Sequence, residues 1–160
     1  MTGIRLISRS PAETRTLAAQ LGARLAPGDV VALKGELGAG KTEFVRGLAQ
    51  GLGVPDKEVA SPSFALAYEY QGRLSLVHLD LYRLTDIPPE FLPDLEDYLA
   101  GPSVVAVEWA ERLGKLLPPE HVEVLLSIIG EVEREITLTG HGPRGEDLVS
   151  RMIKEGGPGT

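Results

Sequence analysis

The chain has 160 residues and a formal net charge of −7, with 42% hydrophobic and 24% charged residues, the composition of an ordinary soluble protein of one domain and one core. No apolar run approaches the ~18–20 residues of a membrane span, the first residues lack the apolar core of a signal peptide, and the absence of cysteine excludes a disulfide framework and cysteine-based metal sites. An acidic chain is poorly suited to gripping nucleic acid unaided, because that depends on Lys and Arg displacing counterions; the expected setting is the cytoplasm, with no membrane.

Asparagine is absent, arginine outnumbers lysine 11 to 5, and prolines total 12. That pattern fits a thermophile; a biased genome composition gives it as well.

Residues 4–8 alternate as a short edge strand. A helix is expected from Pro11 to about Leu25, with Ser10 as N-cap, Pro11 at the first helical position and Glu13 completing a capping box. Pro27-Gly28 ends it. Residues 29–34, Asp-Val-Val-Ala-Leu-Lys, form an apolar run of strand length. Then come Gly35-Glu36-Leu37-Gly38-Ala39-Gly40-Lys41-Thr42, which match the G-x-x-x-x-G-K-[ST] phosphate-binding loop at every fixed position. Apolar residues at 44, 45, 48, 49 and 52 give the next segment helical spacing, to Gly51 or Gly53.

The chemistry of that loop follows from its residues. Gly35, Gly38 and Gly40 permit positive φ and let the backbone approach an anion with no Cβ in the way. The loop N–H groups form an anion nest, and the helix that begins near Lys41 adds the positive end of its dipole. Lys41 reaches β- and γ-phosphates, and the Thr42 hydroxyl ligates Mg²⁺. The plain alternative is a glycine-rich turn that matches by chance. The flanking strand and helix, which the motif requires, argue against it.

Residues 64–70 and 74–80 read as a hairpin joined by Gln71-Gly72-Arg73. A short, proline-interrupted helix is expected over 88–100, an apolar strand over 103–108, and a brief helical piece over 111–117. Residues 122–129 and 133–139 form a second hairpin around Gly130, and 146–154 a terminal helix. Residues 156–160 read as a frayed tail, leaving 1–155 as a single domain. The order is α/β with antiparallel additions at the edges.

A phosphate loop needs an acid at the end of a neighbouring strand to hold Mg²⁺, directly or through water. Two runs have that form, Leu76-Val-His-Leu-Asp80 and Val104-Val-Ala-Val-Glu108. Glu108 is placed on the metal side and Asp80 on the side of the attacking water, with the reverse assignment left open. Ser61-Pro-Ser-Phe64 is either a γ-phosphate-sensing switch or an ordinary turn. Trp109, the single tryptophan, is either core or a wall of the site. Arg83 either neutralises charge or pairs with a surface acid. His78, His121 and His141 show no metal-ligand spacing and read as structural or exposed. Five acids and no base fall between Asp86 and Ala100, either a solvated helix face or a docking surface for a basic partner.

Together, Gly-Glu-Leu-Gly-Ala-Gly-Lys-Thr at 35–42, Ser-Pro-Ser-Phe at 61–64, His-Leu-Asp-Leu-Tyr-Arg at 78–83 and Val-Glu-Trp at 107–109 resemble the bacterial TsaE (YjeE) family. Their order and spacing carry the resemblance over nearly the whole chain. It implies a P-loop NTPase-like three-layer fold, with a parallel central sheet and antiparallel flanking strands. It implies ATP or ADP with Mg²⁺ as cofactors, slow hydrolysis by the isolated protein, and work with TsaD and TsaB in making threonylcarbamoyladenosine at position 37 of tRNA. The tRNA is then reached only indirectly. By the same resemblance, Lys41 and Thr42 hold phosphate and metal, Glu108 completes the metal site, Asp80 is needed for hydrolysis, and Thr14 and Arg134 contact the nucleoside. Two departures stand out: Glu43 where the family often has Thr, which brings negative charge near the phosphates, and Ser63 where Thr is usual.

The leading expectation is therefore an ATPase that cycles a tRNA-modifying assembly. One rival is a small-molecule kinase using the same loop, although the acidic 86–100 stretch does not resemble a basic lid. Another is a non-catalytic binding module clamped by nucleotide. A GTPase is disfavoured, since guanine recognition by Asn-Lys-x-Asp is impossible without asparagine.

Overall fold

The computed structural model describes residues 2–55 and 67–155. Seven strands make one sheet: β1 (Thr2–Ser8), β2 (Val30–Lys34), β3 (Ala67–Gln71), β4 (Ser75–Asp80), β5 (Val104–Glu108), β6 (His121–Ile128) and β7 (Arg134–His141). The helices are α1 (Pro11–Gly22), α2 (Lys41–Gly51), α3 (Leu92–Ala100) and α4 (Gly142–Glu155), with a 3₁₀ segment, Ala110–Leu116, kinked at Gly114. Across the sheet the order is β1-β7-β6-β2-β5-β4-β3. The centre, β6-β2-β5-β4, is parallel, and β1, β7 and β3 join antiparallel. The expected fold class is what is seen.

Alternation along the strands divides two apolar layers. Val31, Leu33, Val104, Ala106, Val122, Val124 and Leu126 face α1, α2 and α4 through Leu21, Phe44, Leu48 and Val149. Val30, Ala32, Val77, Leu79, Val105 and Val107 face the opposite way, onto Leu95 of α3 and onto Ala110 and Leu113. Strands covered on both faces need the continuous apolar runs that the sequence shows.

The local signals behave as their chemistry requires, with informative shifts. Ser10 Oγ accepts the Glu13 N–H at 3.1 Å, and the Glu13 carboxylate accepts from Arg9 N–H at 3.2 Å, one residue earlier than in a standard capping box. Helix α1 stops at Gly22 rather than near Leu25. The carbonyls at and just beyond its end are met by a residue far along the chain: Arg73, at the β3–β4 turn, donates to Gly22 O at 3.0 Å and to Leu25 O at 3.2 Å. Helix α3 begins only at Leu92, after Pro88-Pro89 and with Pro93 in its first turn, and α4 begins four residues before the expected Glu146, at Gly142. The five acids between 86 and 100 are exposed, and Leu95 is the buried contact of α3.

Helices α1 and α2 pack backbone to backbone. A Cβ at Gly47 would lie 2.3 Å from Arg15 O and 2.5 Å from the Ala18 Cβ, and one at Gly51 would lie 2.3 Å from Ala19 O. Both glycines belong to α2, where Gly47 in the interior costs about 1 kcal/mol of propensity relative to alanine, so the close approach outweighs that loss. Gly47→Ala is expected to destabilise the protein by about 1–3 kcal/mol through overpacking, despite the gain in propensity, read as a lower midpoint in urea or thermal unfolding.

Candidate functional site

Sheet order makes the site. Strands β2, β5 and β4 are adjacent and parallel, and one register row runs Leu33–Glu108–Asp80. Both carboxylates therefore stand at the carboxyl ends of neighbouring strands, beside the strand that opens into the glycine loop. That edge is where open α/β sheets bind ligands.

Gly35, Gly38 and Gly40 have φ of 147°, 83° and 104°, conformations that side chains rarely adopt. A Cβ on Gly35 would also lie 2.6 Å from Leu126 O. No side chain caps α2, whose N-cap is Gly40, so its first N–H groups are presented by the loop alone, as an anion site requires. The Lys41 ammonium donates to Gly35 O at 2.6 Å and to Glu36 O at 2.9 Å, and sits 4.3 Å from the centre of the Trp109 ring. Burial pushes Lys41 below its ordinary value of 10.5, opposed by the charges of Glu108, Glu111, Asp80 and Glu36.

Thr42 Oγ1 donates to the Glu108 carboxylate at 3.1 and 3.3 Å. Behind Glu108 lies His78, wholly buried, its Nε2 2.6 Å from Glu108 Oε2. A carboxylate only accepts, so Nε2 carries the proton of that bond. Asp80 accepts the Tyr82 N–H at 3.1 Å. Its burial raises the carboxyl above 3.8, the Tyr82 hydrogen bond works the other way, and the Glu108 charge adds to the rise.

Trp109 takes left-handed backbone angles, φ 60° and ψ 45°. This turns the chain out of β5 and lays the indole beside the site. Tyr82 leans on it with ring centres 5.1 Å apart, and the Arg112 guanidinium lies 5.6 Å from it. Leu37, Gly38, Gly40, Lys41, Thr42, Glu43, Asp80, Tyr82, Glu108 and Trp109 line a cleft of about 270 Å³.

Beyond the crest of the loop is a second cleft, about 260 Å³, between Pro11, Thr14, Gly38, Ala39, Gly40, Glu43, Glu131, Val132 and Arg134. Arg134 reaches from β7 to the loop, donating to Ala39 O at 3.2 Å and Gly38 O at 3.3 Å. The Thr14 hydroxyl is 2.7 Å from Ser8 Oγ, which itself donates to Ser10 O at 2.8 Å. Ser8 has one proton, so Thr14 is the donor between them. Glu43 is paired with Arg15 of α1 and, at 3.7 Å, with Arg46, which offsets the negative charge it brings to the start of α2.

The structure thus brings Lys41, Thr42, Asp80, Glu108 and Trp109 together, and places Thr14 and Arg134 on the far side of the same loop. Residues 61–64 lie outside the described residues, and Arg83 is exposed. Sequence reasoning passed over His78, set aside as structural or exposed. The available signal was alternation, since 78 and 80 share a strand face. Tyr82 stands in the 78–83 motif two residues after Asp80, though only the fold sets its ring against Trp109; Arg112 had no such signal, because its place depends on the turn at Trp109.

Comparison with known proteins addresses the ancestry of this arrangement. The family model described as "Threonylcarbamoyl adenosine biosynthesis protein TsaE" matches residues 8–136. The chain belongs to the TsaE family. It is 41% identical over 146 residues to the tRNA threonylcarbamoyladenosine biosynthesis protein TsaE of Bacillus subtilis strain 168, covering 91% of this chain and 90% of that one. It is also 41% identical over 135 residues to the protein of that name from Treponema pallidum strain Nichols, covering 84% and 99%. The crystal structure of Bacillus subtilis YdiB superposes with a TM-score of 0.80 at 35% identity, over 96% of this chain and 95% of that one. The span matched by the TsaE model runs from Ser8 to Ile136. It takes in both clefts and all of the candidate site residues, and leaves out α4.

Asp80 and Glu108 face each other across the row, and desolvation makes the Asp80 charge unfavourable in the folded state. The folded carboxyl binds its proton more tightly than the unfolded one. Stability is therefore lost as pH rises through that window, and the loss persists at neutral pH. Asp80→Asn, which can still accept the Tyr82 N–H, is expected to raise the thermal midpoint of the nucleotide-free protein by a few degrees at pH 7 and by less at pH 4, measured by calorimetry.

Proposed function

We propose that the protein binds ATP and ADP with Mg²⁺, hydrolyses ATP slowly on its own, and supports threonylcarbamoylation of adenosine 37 in tRNA by cycling a TsaD–TsaB assembly in the cytoplasm. The observation that carries this reading is the convergence of Lys41, Thr42, Asp80 and Glu108 at one end of three adjacent parallel strands. Membership of the TsaE family and the relatives named for tRNA threonylcarbamoyladenosine biosynthesis support the pathway. Among the described residues no helix is long and apolar enough to cross a membrane.

The donor set suits the cofactors. A hydroxyl and a carboxylate already in contact, Thr42 and Glu108, are the hard oxygen ligands that Mg²⁺ takes. When bound, the ion neutralises charge on the β- and γ-phosphates. The loop N–H groups cradle the phosphates. Lys41 exchanges its contacts with Gly35 O and Glu36 O for phosphate oxygens. Asp80 orients the attacking water, and His78 keeps Glu108 turned toward Thr42. Trp109 walls the phosphate side, while Thr14 and Arg134 border the nucleoside side. The family's partners reach tRNA, in keeping with a net charge of −7. The nucleotide state then acts by changing affinity for the assembly.

The deciding experiment is ATP turnover with and without TsaB–TsaD, which should rise when the pair is added. Lys41→Ala is expected to cut turnover by roughly 10²–10³-fold, the usual cost of losing a preorganised charge partner. Glu108→Gln should raise the Mg²⁺ concentration needed for tight binding, and Asp80→Asn should keep binding but lose turnover. Wild-type turnover and affinity in Lys41→Ala would refute the reading. Trp109 emission should change on titration with Mg-ADP; an unchanged spectrum at saturation would place the indole away from the nucleotide.

A further inference from the structure

A second group of ligating side chains lies away from both clefts, at the start of β6 and the end of β7. His121 and His141 are direct register partners there. Val122 and Val124 point into the layer under α1, α2 and α4, so alternation puts His121, Glu123 and His141 together on the opposite face. The two imidazoles stack, with centres 4.4 Å apart and planes 12° from parallel. One ligand atom from each of His121, Glu123 and His141 lies within 4.8 Å of the other two.

The protonation pattern suits coordination. His121 is buried, and its Nδ1 is 2.8 Å from Pro118 O. A carbonyl only accepts, so Nδ1 holds the proton and Nε2 keeps a free lone pair. Metal-bound histidines are oriented in just this way, by donating the other N–H to a backbone carbonyl. His141 Nε2 is buried with no hydrogen-bond partner among the described residues, 3.5 Å from Glu123 Oε1. A buried polar atom in that condition needs a partner.

We propose that His121, Glu123 and His141 bind one divalent transition-metal ion of the zinc class, independently of nucleotide. Two imidazoles and one carboxylate suit zinc, cobalt, nickel or copper, whereas Mg²⁺ and Ca²⁺ prefer oxygen throughout. Bonds of ~2.0–2.1 Å set tetrahedral ligand atoms roughly 3.4 Å apart. Rotation of the Glu123 side chain, which is partly exposed, closes much of the remaining gap. Water completes the coordination. One residue opposes the ion: Lys34 Nζ lies 3.1 Å from Glu123 Oε1, with its side chain 32% exposed. It must swing into solvent, giving up a surface ion pair that contributes little. The ion would staple the open end of the β6–β7 pair beside the start of α4, where a Cβ on Gly145 would lie 2.3 Å from His121 O.

The test is calorimetric titration of the nucleotide-free full chain with ZnCl₂, repeated in saturating Mg-ATP, with Co²⁺ absorption as a report on ligand type. One zinc per chain is expected under both conditions, with a tetrahedral Co²⁺ band. His141→Ala and Glu123→Gln should each weaken binding by at least about tenfold, on the scale seen when metal-site residues are altered. Lys34→Met should tighten it several-fold, because it removes the competing cation. Glu123 is partly exposed, so Glu123→Gln carries the test if His141→Ala fails to fold. No binding by the wild type, or unchanged affinity in the folded variants, would overturn the proposal. The second result would put the ion elsewhere, for instance at Glu108.

Discussion

One register row governs this molecule. Because β2, β5 and β4 are adjacent and parallel, Leu33, Glu108 and Asp80 fall side by side. A slip of one residue in either pairing would turn a carboxylate to the wrong face. What fixes the register is apolar: Val104 and Ala106 share Glu108's face, and Leu76 shares Asp80's. Burying those residues under α2 carries the two acids with them. The hydrophobic layer thus sets the position of the polar site, which needs no polar contacts of its own to find its place.

The other half of the site hangs on α2, and α2 is held by α1. The glycines at 47 and 51 let the two backbones meet, and the Arg15–Glu43 pair ties α1 to the first turn of α2. Arg134 fastens the crest of the loop from the opposite side through Gly38 O and Ala39 O. The loop between them is built from residues with positive φ and few side-chain contacts. Its shape is imposed from outside, which is the preorganisation that anion binding by backbone N–H groups demands.

Much of this was legible in the sequence because it is local. The loop motif, the apolar runs of β2 and β5, the Ser10 cap and both hairpin turns each rest on a few neighbouring residues. What the sequence concealed is non-local. Helix α1 stops at Gly22, and the carbonyls at and just past its end meet Arg73, some fifty positions away. His78 belongs to the site only because β4 lies next to β5. His121 and His141 had no metal-ligand spacing along the chain, yet pairing of β6 with β7 sets them ring to ring. Spacing rules see partners on one helix or strand; they are blind to partners brought together by register.

Position 109 asks for two different amino acids. Its backbone, at φ 60°, is one that glycine adopts freely and that costs other residues of order 1–3 kcal/mol. Its side chain is the surface on which Lys41, Tyr82 and Arg112 converge. A large aromatic here is the choice of a chain that spends local stability on the shape of a cleft wall. In sequence drift under relaxed selection, glycine at position 109 would relieve the backbone but would also strip a half-buried ring from the apolar layer on that side of the sheet, so the fold and the cleft both hold the indole in place.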